Sequence, residues 1–262
     1  MSGAQRLAGA QRWGLARGSK GQRVIRAVFF DLDDTLCNSA AAFAAGRRAA
    51  FDEALSVAPW LTREALEDGW ARAHAELMPA LVSGELTMAA VRDMRFRRAL
   101  AAAGAPDDAL ADRLDALLGE TQLAHLRRFD DVAALAALRR RGVFVGVITN
   151  GADDERADSQ RTKAARLGLF GELDGFWVSD SMGYRKPDPR AFAPALAAAG
   201  GEAAECVYVG DSLANDIAGA HAAGLRGALI LRDESEPLER AEPRPWRIVR
   251  SLWQTLDLLD DD

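Results

Sequence analysis

Val24-Ile25-Arg26-Ala27-Val28-Phe29-Phe30 is a short, mostly apolar run that passes directly into Asp31-Leu32-Asp33-Asp34-Thr35. A strand apolar at successive positions has no face to give to water, so it belongs inside a parallel sheet covered on both sides. Polar groups at the carboxyl end of such a strand stand where open α/β sheets place their ligands. The pattern recurs. Val143–Ile148 leads into Thr149-Asn150-Gly151, and Cys206–Val209 leads into Gly210-Asp211-Ser212. Phe176–Val178 and Leu225–Leu231 read as two further strands. Helices are expected between them: Asp131–Arg141, ended by Gly142; one running to Leu167; Asp188–Ala199; one running to Ala223; and a last near Trp246–Leu259, behind Pro243 and Pro245. This alternation predicts a parallel sheet with helices on both faces.

Residues 39 to about 127 break the alternation. They are rich in Ala, Leu, Arg and Glu and contain no convincing strand. Candidate helices are Ala40–Ser56, Thr62–Leu81, Thr87–Ala103 and Asp107–Arg127, punctuated by Pro59, Gly84 and Pro106. Ser39, Thr62 and Thr87 are the expected caps. Four helices with short links suggest a small bundle inserted after the first strand.

The 262 residues suffice for one large domain or two modest ones, with a core that needs no disulfide or structural metal. Cys37 and Cys206 are the only cysteines, which fits a reducing cytoplasm. No run of about 18 apolar residues suggests a membrane span. A net charge of −6 argues against a nucleic-acid binder. The first 26 residues carry Arg6, Arg12, Arg17, Lys20, Arg23 and Arg26 and no acid. This segment lacks a secretion-signal core and reads as a basic, disordered leader over 1–23.

In a parallel sheet the strand ends share one rim. Asp31 and Asp33, Thr149 and Asn150, Asp211 and Asp216, and Lys186 from the Gly-Tyr-Arg-Lys-Pro-Asp-Pro loop could therefore meet. Crowded carboxylates repel and call for a cation, and Mg²⁺ takes carboxylate oxygens together with substrate phosphate oxygens. Lysine is a point charge suited to phosphate. An Asp can be the nucleophile of an aspartyl-phosphate enzyme, and a second carboxylate can serve as its acid–base partner. The inventory suits phosphoryl transfer to water.

Asp31-Leu32-Asp33-Asp34-Thr35-Leu36, Thr149-Asn150-Gly151, Lys186-Pro187-Asp188-Pro189 and Gly210-Asp211-Ser212-Leu213-Ala214-Asn215-Asp216 resemble, in order, the four motifs of the haloacid dehalogenase (HAD) superfamily. The first has the form seen in its phosphatases. The match spans about residues 24–231. The resemblance implies a Rossmann-like α/β core over 24–38 and 128–262, interrupted by a helical C1 cap over 39–127. It implies Asp31 as nucleophile and Asp33 as acid and base. Mg²⁺ would be held by Asp31, the carbonyl of Asp33 and Asp211. Thr149 and the Asn150 N–H would bind the phosphoryl group. Lys186 would offset charge, and Asp216 would hold a metal-bound water or steady Lys186. The expected substrate is a small phosphorylated metabolite, acted on by a cytoplasmic monomer or homodimer with no nucleic-acid or membrane partner. The Thr-Asn-Gly, Gln160/Lys163 and Leu167-Gly168-Leu169 pattern looks most like the pyrimidine-nucleotidase and N-acylneuraminate-9-phosphatase branch.

Other readings compete. A dehalogenase on this scaffold needs no acid for its leaving group, so Asp33 argues against it. A phosphomutase shares the Asp-x-Asp pair. A receiver-like switch combines similar residues in about half the length, and a non-catalytic HAD protein would not need the full set. Gly210-Asp211-Ser212-Leu213 mimics an esterase signature, but His74, His125 and His221 include no late Asp-x-x-His base. Asp34 reads as turn structure. Arg47, Arg48, Arg92, Arg95, Trp60 and Trp70 read first as packing or solvated charge. Trp246 and Trp253 are expected to pack the last helix on the sheet.

Overall fold

The computed structural model describes residues 24–232 and 242–260, and the leader assigned to 1–23 lies outside the described residues. Six strands form one parallel sheet in the order β3-β2-β1-β4-β5-β6. They are β1 (Ala27–Phe30), β2 (Phe144–Thr149), β3 (Gly175–Val178), β4 (Cys206–Gly210), β5 (Arg226–Ile230) and β6 (Arg247–Val249). β1, β2 and β4 are buried along their whole lengths, as their unbroken apolar runs require. Alternate side chains serve opposite faces: Val28, Phe30, Val145 and Val207 join one cluster, Phe29, Ile148, Cys206 and Tyr208 the other. Phe30 stands in register with Val147 on one side and Val209 on the other. Asp31 therefore leaves the sheet between the ends of β2 and β4.

Four helices follow β1: α1 (Ser39–Val57), α2 (Arg63–Ser83), α3 (Met88–Ala102) and α4 (Asp108–His125). They bury a core of their own, which includes Phe51, Leu66, Phe96, Leu100, Leu114 and Leu118. Glycines permit close approach at two crossings. A Cβ at Gly46 of α1 would lie 2.4 Å from the Leu118 carbonyl oxygen of α4, and one at Gly69 of α2 would lie 2.3 Å from that of Ala99 in α3. Thr62 and Thr87 cap α2 and α3 as expected. Ser39 does not cap α1. The Asp34 carboxylate accepts the Ala40 N–H instead, from a turn in which Asp34 adopts φ 55°. Two strips of chain join helices to sheet, and they are tied together: the Asn38 N–H donates to the Arg127 carbonyl, and the Phe129 N–H to that of Leu36.

The later helices are short: α5 (Ala134–Arg140), α6 (Gln160–Arg166), α7 (Ser179–Met182), α8 (Ala193–Ala199) and α9 (Ala218–Ala222). The expected helix over Trp246–Leu259 is replaced by β6 and a 3₁₀ turn over Leu252–Asp260. The free edge of β5 pairs with Arg247–Val249, and Asp131 Oδ2 accepts from Leu252 N at 2.8 Å and Ser251 Oγ at 3.1 Å, fixing where the 3₁₀ turn starts. Trp246 packs on the core as expected, but Trp253 is 46% exposed and does not. The segment after Asp211 is wider than an α-helix, with π-type winding over Leu213–Ile217. The stretch Asp188–Ala199 is a 3₁₀ turn followed by α8.

Candidate active site

The strand ends bring Asp31, Thr149, Asp211, Asp216 and Lys186 to one rim. Lys186 is 2% exposed and has three partners: Asp31 Oδ1 at 2.8 Å, Asp216 Oδ1 at 2.6 Å and Tyr208 Oη at 2.6 Å. That matches the three donors of an ammonium group. Burial disfavours its charge, but the Asp216 and Asp31 carboxylates outweigh that and raise its pKa. Tyr208 Oη donates in turn to the Ile148 carbonyl at 2.7 Å, linking β4 to β2 across β1. Tyr208 was not singled out in the sequence. Its signal is one hydroxyl in an otherwise apolar buried strand, a polar group that must find a partner.

Asn150 uses its side chain differently from the backbone role implied above. Its Nδ2 donates to the Lys186 carbonyl and its Oδ1 accepts the Lys186 N–H, both at 2.9 Å. The end of β2 thus clamps the loop that delivers Lys186. Asp216 is 1% exposed, and its Oδ2 accepts the Ser212 N–H at 3.0 Å. A Cβ at Gly210 would lie 2.3 Å from that same oxygen, so this approach requires glycine.

One oxygen from each of Asp31, Asp211 and Asp216 lies within 4.8 Å of the others. Burial, reinforced by Asp216 and Asp33 and opposed by Lys186, pushes the Asp31 carboxyl up to about 7. Burial together with Asp31 and Asp216 pushes Asp211 up to about 8. Acids so raised are short of positive charge. Thr149 Oγ1 is buried with no hydrogen-bond partner among the described residues. Carboxylate oxygens in this number and an unmet hydroxyl at the end of the neighbouring strand fit a hard divalent cation and a phosphoryl oxygen.

Asp33 sits apart from this group, and two residues from α6 hold it. Lys163 Nζ lies 2.6 Å from Oδ1, and Gln160 Nε2 donates to Oδ2 at 2.8 Å. Burial disfavours the Asp33 charge, but Lys163 and Gln160 outweigh it and lower its pKa. Gln160 and Lys163 appeared in the sequence as part of a pattern with no role attached. Their spacing of three puts them on one face of a helix.

A cavity of about 290 Å³ opens beside Asp33, walled by the sheet rim and by Phe43, Met88, Arg92 and Gln122 of the inserted helices. Arg92 pairs with Asp154 and Asp158 of the loop after β2, and Arg156 of that loop pairs with Asp93 of α3. Asp180 of α7 accepts the N–H groups of Met88 and Ala89 at 3.2 and 3.1 Å, joining Thr87 at the head of α3. His74, His125 and Trp60 are exposed.

A parallel α/β sheet with an acidic pair after its first strand, a buried lysine and a carboxylate cluster defines a hydrolase of a known class. The family model of haloacid dehalogenase-like hydrolases matches residues 25–224. The chain belongs to this family and is a hydrolase of its phosphatase type. It is 33% identical over 177 residues to a phosphoserine phosphatase of Thermus thermophilus, covering 66% of this chain and 68% of that one. It is 30% identical over 218 residues to a glyceraldehyde 3-phosphate phosphatase of Methanopyrus kandleri, covering 82% and 88%. Among solved structures, a 2-haloacid dehalogenase from Pseudomonas syringae superposes with a TM-score of 0.68 at 28% identity, over 90% of this chain and 98% of that one. Among the described residues no helix is long and apolar enough to cross a membrane.

Proposed function

We propose that the protein is a Mg²⁺-dependent phosphomonoesterase that acts on a small phosphorylated metabolite through an aspartyl-phosphate intermediate. The observation that carries this reading is the separation of two carboxylates two residues apart. Asp31 stands against the Lys186 ammonium, while Asp33 is held at the mouth of the cavity by Lys163. One is set up to attack and the other to exchange protons.

An Asp31 carboxylate oxygen attacks phosphorus and the ester P–O bond breaks. Asp33, when protonated, gives its proton to the leaving oxygen. Water then attacks the phosphorus of the aspartyl phosphate, ionised Asp33 takes its proton, and the bond to Asp31 breaks to release phosphate. Thr149 Oγ1 and the Asn150 N–H would bind phosphoryl oxygens, and Lys186 would offset their charge. The carboxylates of Asp31 and Asp211 and the carbonyl of Asp33 would hold Mg²⁺, which when bound neutralises charge between nucleophile and phosphoryl group. Asp216 steadies Lys186. The helices of 39–127 would act as a cap over the core of 24–38 and 128–262, excluding water and touching the leaving group. The protein would work in the cytoplasm, as a monomer or homodimer.

The names of the structural neighbours raise dehalogenation as the second reading. Attack on carbon leaves Asp33 and the carboxylate cluster without a task, which favours the phosphatase. Asp31→Asn should abolish phosphate release from p-nitrophenyl phosphate in Mg²⁺, with the circular dichroism spectrum unchanged. Substantial residual turnover would sink the aspartyl-phosphate assignment. Halide release from chloroacetate alongside a flat screen of phosphate esters would favour the dehalogenase.

A further inference from the structure

The cavity beside Asp33 is lined by three cations and three anions: Arg92, Arg95 and Lys163 against Asp33, Asp34 and Asp158. All three cations are already engaged. Lys163 holds Asp33, Arg92 holds Asp154 and Asp158, and Arg95 lies 2.6 Å from Asp115 and 3.4 Å from Asp158. A second anionic group on a substrate would meet cations whose charge is already shared with these carboxylates and a wall that carries as many anions as cations, with only the Arg92 Nε N–H buried and unmet among them. One polar side chain at the wall has no such commitment. Gln122 of α4 is 5% exposed and lines the cavity, and its side chain has no hydrogen-bond partner among the described residues. Gln160 Oε1, another atom of a residue that lines the cavity, is buried and unmet. An amide that meets the cavity without a protein partner gains a hydrogen bond from a ligand hydroxyl, which is at once donor and acceptor. The remaining wall, Phe43, Met88 and Ala40, suits the carbon skeleton of such a group.

We propose that Gln122 is a specificity-determining residue that binds a neutral hydroxyl of the leaving group, so that the chamber selects hydroxylated monophosphates over those carrying a second anion. This rests on the phosphatase reading. The test compares three substrates of one length with the Mg²⁺-loaded full chain: glycerol 3-phosphate, n-propyl phosphate, which lacks the hydroxyls, and 3-phosphoglycerate, which carries a carboxylate. The kcat/KM for glycerol 3-phosphate should exceed each of the others by about tenfold. In Gln122→Leu the ratio of glycerol 3-phosphate to n-propyl phosphate should collapse toward one. Equal or better turnover of 3-phosphoglycerate overturns the proposal, as does a ratio that survives Gln122→Leu. The wild-type ratios stand whether or not the variant folds. If p-nitrophenyl phosphate is turned over and no preference is found, only this inference fails. If no ester is hydrolysed, the phosphatase reading fails and takes this inference with it.

Discussion

Lys163 Nζ lies 2.6 Å from Asp33 Oδ1, a contact between residues 130 positions apart that favours the charged form of the proposed acid–base group. With Lys163 and Gln160 attached, Asp33 favours its ionised form, the form that activates water rather than the one that protonates a leaving group. Lys163→Met should therefore slow release of the phosphorylated enzyme more than its formation. With p-nitrophenyl phosphate, whose leaving group needs no proton, rapid-quench kinetics should show a burst followed by a steady rate lowered roughly tenfold or more. Loss of burst and steady phases together would contradict this division.

Asn150 holds the Lys186 loop by two hydrogen bonds of 2.9 Å. Asn150→Ala removes both, at about 1 kcal/mol each, so denaturant unfolding should show a loss of about 2 kcal/mol. kcat should fall more than KM rises, because Lys186 loses its station while substrate contacts in the cavity remain.

Asp31 and Asp211, raised to about 7 and about 8, dictate a pH dependence for the metal-free protein. Their folded pKa values lie above the unfolded value of about 3.9. Between these limits the native state binds more protons than the unfolded one, so stability falls as pH rises. In EDTA the melting temperature should decline from about pH 5 to about pH 8. Mg²⁺ should restore it most at the alkaline end, where the carboxylates are free to bind, and phosphate release should stop under full chelation. A flat melting profile with no response to Mg²⁺ would argue against the carboxylate cluster as the cation site.

Arg92 is 2% exposed and bridges two aspartates of the loop after β2. Arg92→Ala would leave the buried Asp158 without this partner, and calorimetry should report a loss of about 3–5 kcal/mol. Arg97 pairs with Asp112 on the surface of the same helical layer. Arg97→Ala should cost under about 1 kcal/mol and respond to salt.

Gly46 leaves its Cβ position to the Leu118 carbonyl. Gly46→Ala must push α1 and α4 apart, with an expected loss of about 1–3 kcal/mol, despite alanine's better helix propensity. A stabilised variant would mean that the two helices separate without cost.

The sheet was legible because β1, β2 and β4 are apolar on both faces, and the rim residues because each stands directly after one of those strands. The four inserted helices were legible from composition and from the capping Thr62 and Thr87. What could not be read has physical reasons. Arg247–Val249 is only three residues long, and it becomes a strand because β5 offers an open edge, a property of the fold and not of those residues. Ser39 looks like a cap, but Asp34 reaches the Ala40 N–H from six residues back. Tyr208, Gln160 and Lys163 owe their roles to partners far away in sequence: Lys186, Ile148 and Asp33. Their polarity in buried elements was visible, and their targets were not. The side-chain clamp of Asn150 is invisible for the same reason.

The paired strips around residues 34–38 and 126–129 have a mechanical consequence. Any swing of the helices relative to the sheet must be absorbed within a few residues of Asp33, because the two strips are tied to each other at Asn38–Arg127 and Leu36–Phe129. The first strip also begins at Asp34, whose carboxylate grips the head of α1. The carboxylate proposed to move protons thus stands one residue before that junction, so the posture of the helices bears directly on the aim of Asp33.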